Sequence, residues 1–160
     1  MNTTAKKVWA YILSPLIALA VGGLSALITM GNMGLYETVK TPPLSPPAIL
    51  FPIVWSLLYV LMGISAARIY LADGERQAKR SALLTYAISL IFNFAWSIFF
   101  FNMRAFLFSY FWLLALLMLI LKTIVSYRDI DRPAAILQIP YALWVTFAGY
   151  LNFGIYFLNR

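Results

Sequence analysis

Chemistry in this chain has to come from aromatic, amide and hydroxyl groups. The sequence has neither cysteine nor histidine. That removes disulfides, the usual thiolate and imidazole metal ligands, and every Ser-His or Cys-His nucleophile pair. The acidic residues are Glu37, Asp73, Glu75, Asp129 and Asp131, and each lies between apolar segments rather than inside one. Ion-coupled pumps place carboxylates or histidines at membrane depth. The pattern therefore argues against such a pump, and against paired-carboxylate acid–base catalysis within a membrane.

Three aromatic and amide faces remain. Phe51, Trp55 and Tyr59 recur every four residues, on one side of a helix. Asn93, Trp96 and Phe100 share a second face, and Trp144, Ala148 and Asn152 a third. Brought together, they would line a cavity for a flat, mostly apolar ligand held by stacking and a few hydrogen bonds. The competing reading is helix packing, with tryptophans in the core or an interfacial belt and Asn93 bonding a neighbouring helix. Ahead of the first face runs a stiff loop with Pro42, Pro43, Pro46 and Pro47. Its prolines forbid regular helix and predict an extended segment over 36–47. It reads as a lid or as a plain connector. Leu151, Tyr156 and Arg160 match the weak cholesterol pattern and equally an interfacial anchor.

The elements that carry these faces are membrane spans. Of 160 residues, 63% are hydrophobic and only 11% charged, against about 25% charged in soluble domains; the mean hydropathy is +0.85. The reading is a single all-α domain over 1–160, a five-transmembrane-helix bundle. Its spans fall near 8–30, 47–70, 81–101, 105–125 and 133–157, with the lid loop near 31–46. Each reaches the roughly 20 residues a span needs. The first run outlasts a signal-peptide core of about 7–15 residues and reads as a retained helix. Pro52 is expected to kink the second span, Arg68 to snorkel toward headgroups, and Asp131 to cap the fifth. Gly22, Ala26, Gly63 and Ala67 suit close contact between helix faces, including those of a homodimer.

Charge gives the orientation. Of the twelve basic residues, Lys6, Lys7, Arg68, Arg76, Lys79, Arg80, Lys122, Arg128 and Arg132 lie on the side of the N-terminus. Lys40, Arg104 and Arg160 lie on the other. The positive-inside rule then places the N-terminus in the cytoplasm and the lid and C-terminus outside, in a bacterial cell membrane or, alternatively, an organelle outer membrane. Spread over span ends, the net charge of +7 reflects orientation, and no nucleic-acid partner is expected.

Three motifs resemble the TspO/translocator proteins, also called tryptophan-rich sensory proteins. Tyr36, Pro42, Pro46-Pro47, Trp55, Tyr59 and Gly63 resemble the family's first loop and second helix. Asn93-x-x-Trp96-x-x-Phe99-Phe100 resembles its third helix, and Pro140-Tyr141-x-x-Trp144-x-x-Phe147-Ala148-x-x-Leu151-Asn152 its fifth. Where members often carry tryptophan in the loop, this chain has Leu35 and Leu44. The resemblance implies a homodimer with a ligand cavity under the first loop. It implies a receptor or carrier for porphyrin-like and, in some members, sterol-like ligands, bound by Tyr36, Pro46, Phe51, Trp55, Tyr59, Asn93, Trp96, Phe100, Trp144, Phe147, Ala148 and Leu151. No cofactor is required, and protoporphyrin IX suits a chain without His or Cys better than haem. Two further functions stay open: light-dependent protoporphyrin breakdown using Trp55 and Trp144, and a structural, partner-binding membrane subunit. Five spans require the two termini to lie on opposite sides. Tags at each end, probed from one side of the membrane, are expected to differ in accessibility.

Overall fold

In a computed structural model, which describes residues 3–160, those residues are helical with short connections. Helix α1 spans Thr3–Thr29 and runs through a 3₁₀ turn, Met30–Asn32, to the short α2, Leu35–Thr38. Helices α3 (Leu50–Leu71), α4 (Arg76–Ser97), α5 (Phe106–Arg128) and α6 (Arg132–Leu158) follow. Five segments are long and apolar enough to cross a membrane. Their contacts close a ring, from α1 to α3, α6, α5, α4 and back to α1.

Lipid tails give helices no hydrophobic reason to associate, so contact depends on close packing and hydrogen bonds. Small residues supply the close packing between α1 and α3. Gly63 faces the backbone of Ser14 and Pro15, and Gly22 lies against the Tyr59 ring; a β-carbon at either would collide. Ala18 and Ala67 are fully buried. Gly22, Gly63 and Ala67 thus serve contacts within one chain, while Ala26 is exposed. On the α3–α6 side, Ser65 donates to the Ala134 carbonyl at 2.7 Å and accepts from Gln138 Nε2 at 3.1 Å. On the α4–α5 side, Trp112 donates to the Phe92 carbonyl at 2.8 Å.

Several local expectations are corrected. The extended loop begins only after α2, because proline restrains itself and the residue before it and leaves Leu35–Thr38 free to coil. Helix α3 starts at Leu50, where Pro47 accepts a turn bond from the Leu50 N–H at 2.9 Å. Pro52 therefore sits in the first turn, where its missing N–H costs nothing, rather than acting as a mid-span kink. The third span begins earlier than 81, at Arg76, and ends in a π-helical turn, Ile98–Asn102. Asp131 stands at the start of α6 without capping it through its side chain. Its carboxylate pairs with Arg68 at 2.9 Å, so Arg68 holds α3 to α6 instead of reaching for headgroups.

Gly63→Ala is expected to cost about 1–3 kcal/mol through overpacking against Pro15. Gly23→Ala, with nothing within 4 Å of the added carbon, is the neutral comparison. Thermal unfolding in detergent separates the two.

Candidate functional site

A cavity of about 410 Å³ opens between α1, α3 and α4 beneath the lid. Its formation follows from the residues of α1. Gly22, Ser25, Ala26 and Thr29 recur at one helical face, and their short side chains leave space that larger residues would fill. Opposite them stand Phe51, Trp55 and Tyr59 of α3, Asn93, Trp96 and Ser97 of α4 and Phe101 of the π-helical turn, with Met33, Tyr36, Ala48 and Ile49 from the segment between α1 and α3 and Pro52 beside them.

The predicted faces converge in part. Tyr36, Phe51, Trp55, Tyr59, Asn93 and Trp96 line this one cavity. Tyr36 and Phe51 meet at 5.1 Å between ring centres, and Trp55 stacks on Tyr59 at 5.6 Å. The face of α6 lies elsewhere. Trp144 is half-buried behind Phe51, edge-on at 5.9 Å, and packs on Phe147 at 5.7 Å. Trp55 and Trp144 thus do not face each other across the cavity. Ala148 and Leu151 are buried between helices. Phe100 is buried too, stacked on Trp96 at 5.5 Å. Pro46 is half-buried in the lid outside the lining. The residues of the sterol pattern do not share a surface: Leu151 points into the core while Arg160 is exposed and Tyr156 half-buried. The contribution of α1 went unrecognised in the sequence, although the spacing of its small residues at i, i+3, i+4 and i+7 is the signal for it.

Two asparagines order the wall. Asn93 accepts from the Tyr59 hydroxyl at 3.0 Å and donates to the Tyr141 oxygen at 2.9 Å, tying α3, α4 and α6 together. Asn152 accepts from Trp96 Nε1 at 3.1 Å and from Ser109 Oγ at 3.0 Å, and donates to the Phe106 carbonyl at 2.7 Å. Asn152 thus orients the Trp96 indole from behind and does not line the cavity itself. An amide has two donor hydrogens and two acceptor lone pairs, so these two bonds use one of each on Asn93. No cluster of three metal-ligating side chains occurs among the described residues. The wall can stack, enclose and hydrogen-bond.

The lid is fixed on one side. Asn159, just after α6, accepts from the Lys40 N–H and donates to the Lys40 carbonyl, both at 2.9 Å. Tyr150 donates to the Pro43 carbonyl at 2.8 Å, and the Pro42 ring rests where Gly154 has no side chain. At the end of α1, Asn32 donates to Asn102, which donates to the Ile28 carbonyl.

Five helices long and apolar enough to cross a membrane, with a lidded aromatic cavity among them, define an integral membrane protein. Residues 13–158 match the TspO/MBR family, and the chain belongs to it. It is 35% identical to the tryptophan-rich protein TspO of Chlorobaculum tepidum, over 78% of each chain. It is 36% identical to the protein of the same name from Archaeoglobus fulgidus, over 92% of this chain and 95% of that one. The translocator protein of Ovis aries is 30% identical over 78% of this chain and 75% of its own.

Asn93→Leu removes the partner of two tyrosine hydroxyls at once. A loss of about 1–3 kcal/mol in stability is expected, read from chemical unfolding in detergent.

Proposed function

We propose that the chain is a membrane receptor or carrier for a flat, largely apolar ligand of porphyrin type, bound in the cavity beneath the lid. The observation that carries this reading is the cavity wall itself. Trp55, Tyr59 and Trp96 offer ring faces, and Asn93 sits among them as a fixed polar contact. A volume of about 410 Å³ falls within the range of small-molecule sites, roughly 300–1,000 Å³. Metal-free protoporphyrin IX suits the wall better than haem, since the described lining has no strong axial ligand for iron. A sterol is the second ligand class for the same apolar space. The name translocator protein, borne by the sheep relative, is in keeping with a carrier. The bacterial cell membrane, with the N-terminus cytoplasmic, fits the basic residues gathered away from the lid. A homodimer would have to use faces other than those of Gly22 and Gly63.

Light-driven porphyrin breakdown is the second reading, favoured by Trp55 at the cavity wall in stacking contact with Tyr59. It needs an oxidisable indole beside the ligand. Of Trp55 and Trp144, only Trp55 lines the cavity, and Trp144 reaches a ligand through Phe51.

Titration of the purified protein with protoporphyrin IX in the dark, and then under illumination, tests both. Saturable binding is expected, weakened about tenfold in Trp55→Ala and less in Trp144→Ala, as one lost stacking partner implies. No saturable binding by the folded wild type would leave a structural, partner-binding subunit. If breakdown occurs, Trp55→Phe is expected to keep binding and lose the product, because phenyl resists oxidation. An unchanged product yield in that variant would remove Trp55 from the chemistry.

A further inference from the structure

The flank of α5 and α6 carries a second recess, of about 270 Å³, that shares no lining residue with the lid cavity. Leu113, Leu117, Val145, Thr146, Gly149 and Phe153 shape it. Gly149 keeps it deep, since a β-carbon there would come within 3.3 Å of Leu113. Leu114 in its wall is exposed, as are Phe111 and Leu143 on the same two helices. No charged residue occurs from Phe106 to Leu121 or from Pro133 to Leu158. In a membrane-crossing helix pair, the medium against this flank is lipid hydrocarbon.

The charge at the lid end of the same two helices is basic. Arg104 lies two residues before α5 and Arg160 two residues after α6, while Asn159 clasps the backbone of Lys40. Among the described residues none of these three cations has an acidic partner within ion-pair distance. The Arg160 guanidinium lies over the Phe157 ring at 4.2 Å. Stacked this way, it keeps its in-plane N–H groups for an oxyanion.

The recess also touches the lid fastening. Tyr150 forms part of its wall and donates to Pro43; Gly154 forms another part and receives Pro42. One side chain thus serves both surfaces. A chain lying in the recess would bear on the Tyr150 ring whose hydroxyl fastens the loop.

We propose that the α5–α6 recess seats an acyl chain of an anionic phospholipid, its phosphate held by Arg160 with Arg104 nearby, and that this lipid fastens the lid through Tyr150. The lipid gains differential affinity for the closed lid, as any ligand that shifts such an equilibrium must. The site is independent of what occupies the lid cavity, so its test needs no cavity ligand.

The chain lacks cysteine, so Leu44→Cys, at a position 84% exposed on the lid, carries a single spin label. The full chain is placed in nanodiscs of phosphatidylcholine with or without phosphatidylglycerol. Lipids retained on release are read by native mass spectrometry, and lid mobility from the label. Wild type is expected to retain phosphatidylglycerol preferentially and to show a less mobile label when it is present. Arg160→Gln is expected to lose about fivefold in that preference, the effect of one cation near an anionic headgroup. Thr146→Trp fills the recess: lipid retention falls for both headgroups, and the label stays immobile with or without phosphatidylglycerol. Tyr150→Phe keeps the wall and loses the fastening, so lipid is retained while the label is mobile throughout. Helical content by circular dichroism checks each variant, and Thr146→Phe replaces Thr146→Trp if the latter does not fold. Equal retention of the two lipids by wild type, or retention indifferent to both Arg160→Gln and the filled recess, overturns the lipid site. A dimer that disappears in Thr146→Trp assigns the recess to a second copy and overturns it too. Lipid retained with no change in the label overturns the coupling to the lid.

Discussion

Everything in this bundle depends on how helices are held together where the solvent is as apolar as they are. Burial of leucine against leucine offers nothing over leucine against lipid. What remains is the close approach of backbones and the hydrogen bonds of a few side chains. Gly63 against Pro15 and Gly22 against Tyr59 provide the first, bringing α1 onto α3. Asn93, Asn152 and the Ser65–Gln138 pair provide the second, tying the remaining helices to one another. Large aliphatic side chains fill space but are also abundant on the outer surface.

The same constraint explains why a cavity survives. The face of α1 that turns toward α3 and α4 beneath the lid carries small and hydroxyl residues, not bulky ones. Tyr59 closes onto this face only at Gly22, and hydrogen bonds hold two of the aromatic residues opposite from behind. Tyr59 is held through Asn93 and Trp96 through Asn152. Cavity wall and structural glue are thus the two sides of the same residues. Loss of an amide would loosen helix contacts and blur the positions of the rings together.

The lid adds an asymmetry. Lys40, Pro42 and Pro43 are fastened to the end of α6, whereas the cavity lies between α1, α3 and α4. Proline limits the conformations open to the loop, so holding it in place loses less entropy than for a flexible segment. Leu44 stands at the exposed tip with φ near +67°, a conformation unusual for leucine. Of the two loop leucines where family members often carry tryptophan, Leu44 is thus free of the bundle and Leu35 is buried within it.

Composition alone determined that this chain crosses a membrane five times. Hydropathy is local, and a run of about 20 apolar residues has few other uses. The aromatic periodicity of α3 and α4 was legible for the same reason, since spacing along one helix decides which residues share its face. Which faces meet was not legible. The Trp144 face looked equivalent to that of Trp55, yet tertiary packing set it behind Phe51 and gave the vacant wall to α1. Gly22 and Ala26 had the spacing of a contact pair, and nothing in one helix says whether the contact is another helix of the chain, a second chain or a ligand. Asp131 had the position of a helix cap and became the partner of Arg68 from a distant span. Local pattern fixes elements because its physics is short-range. Pairing between elements depends on the rotation and depth of every helix at once, and only the assembled bundle sets those.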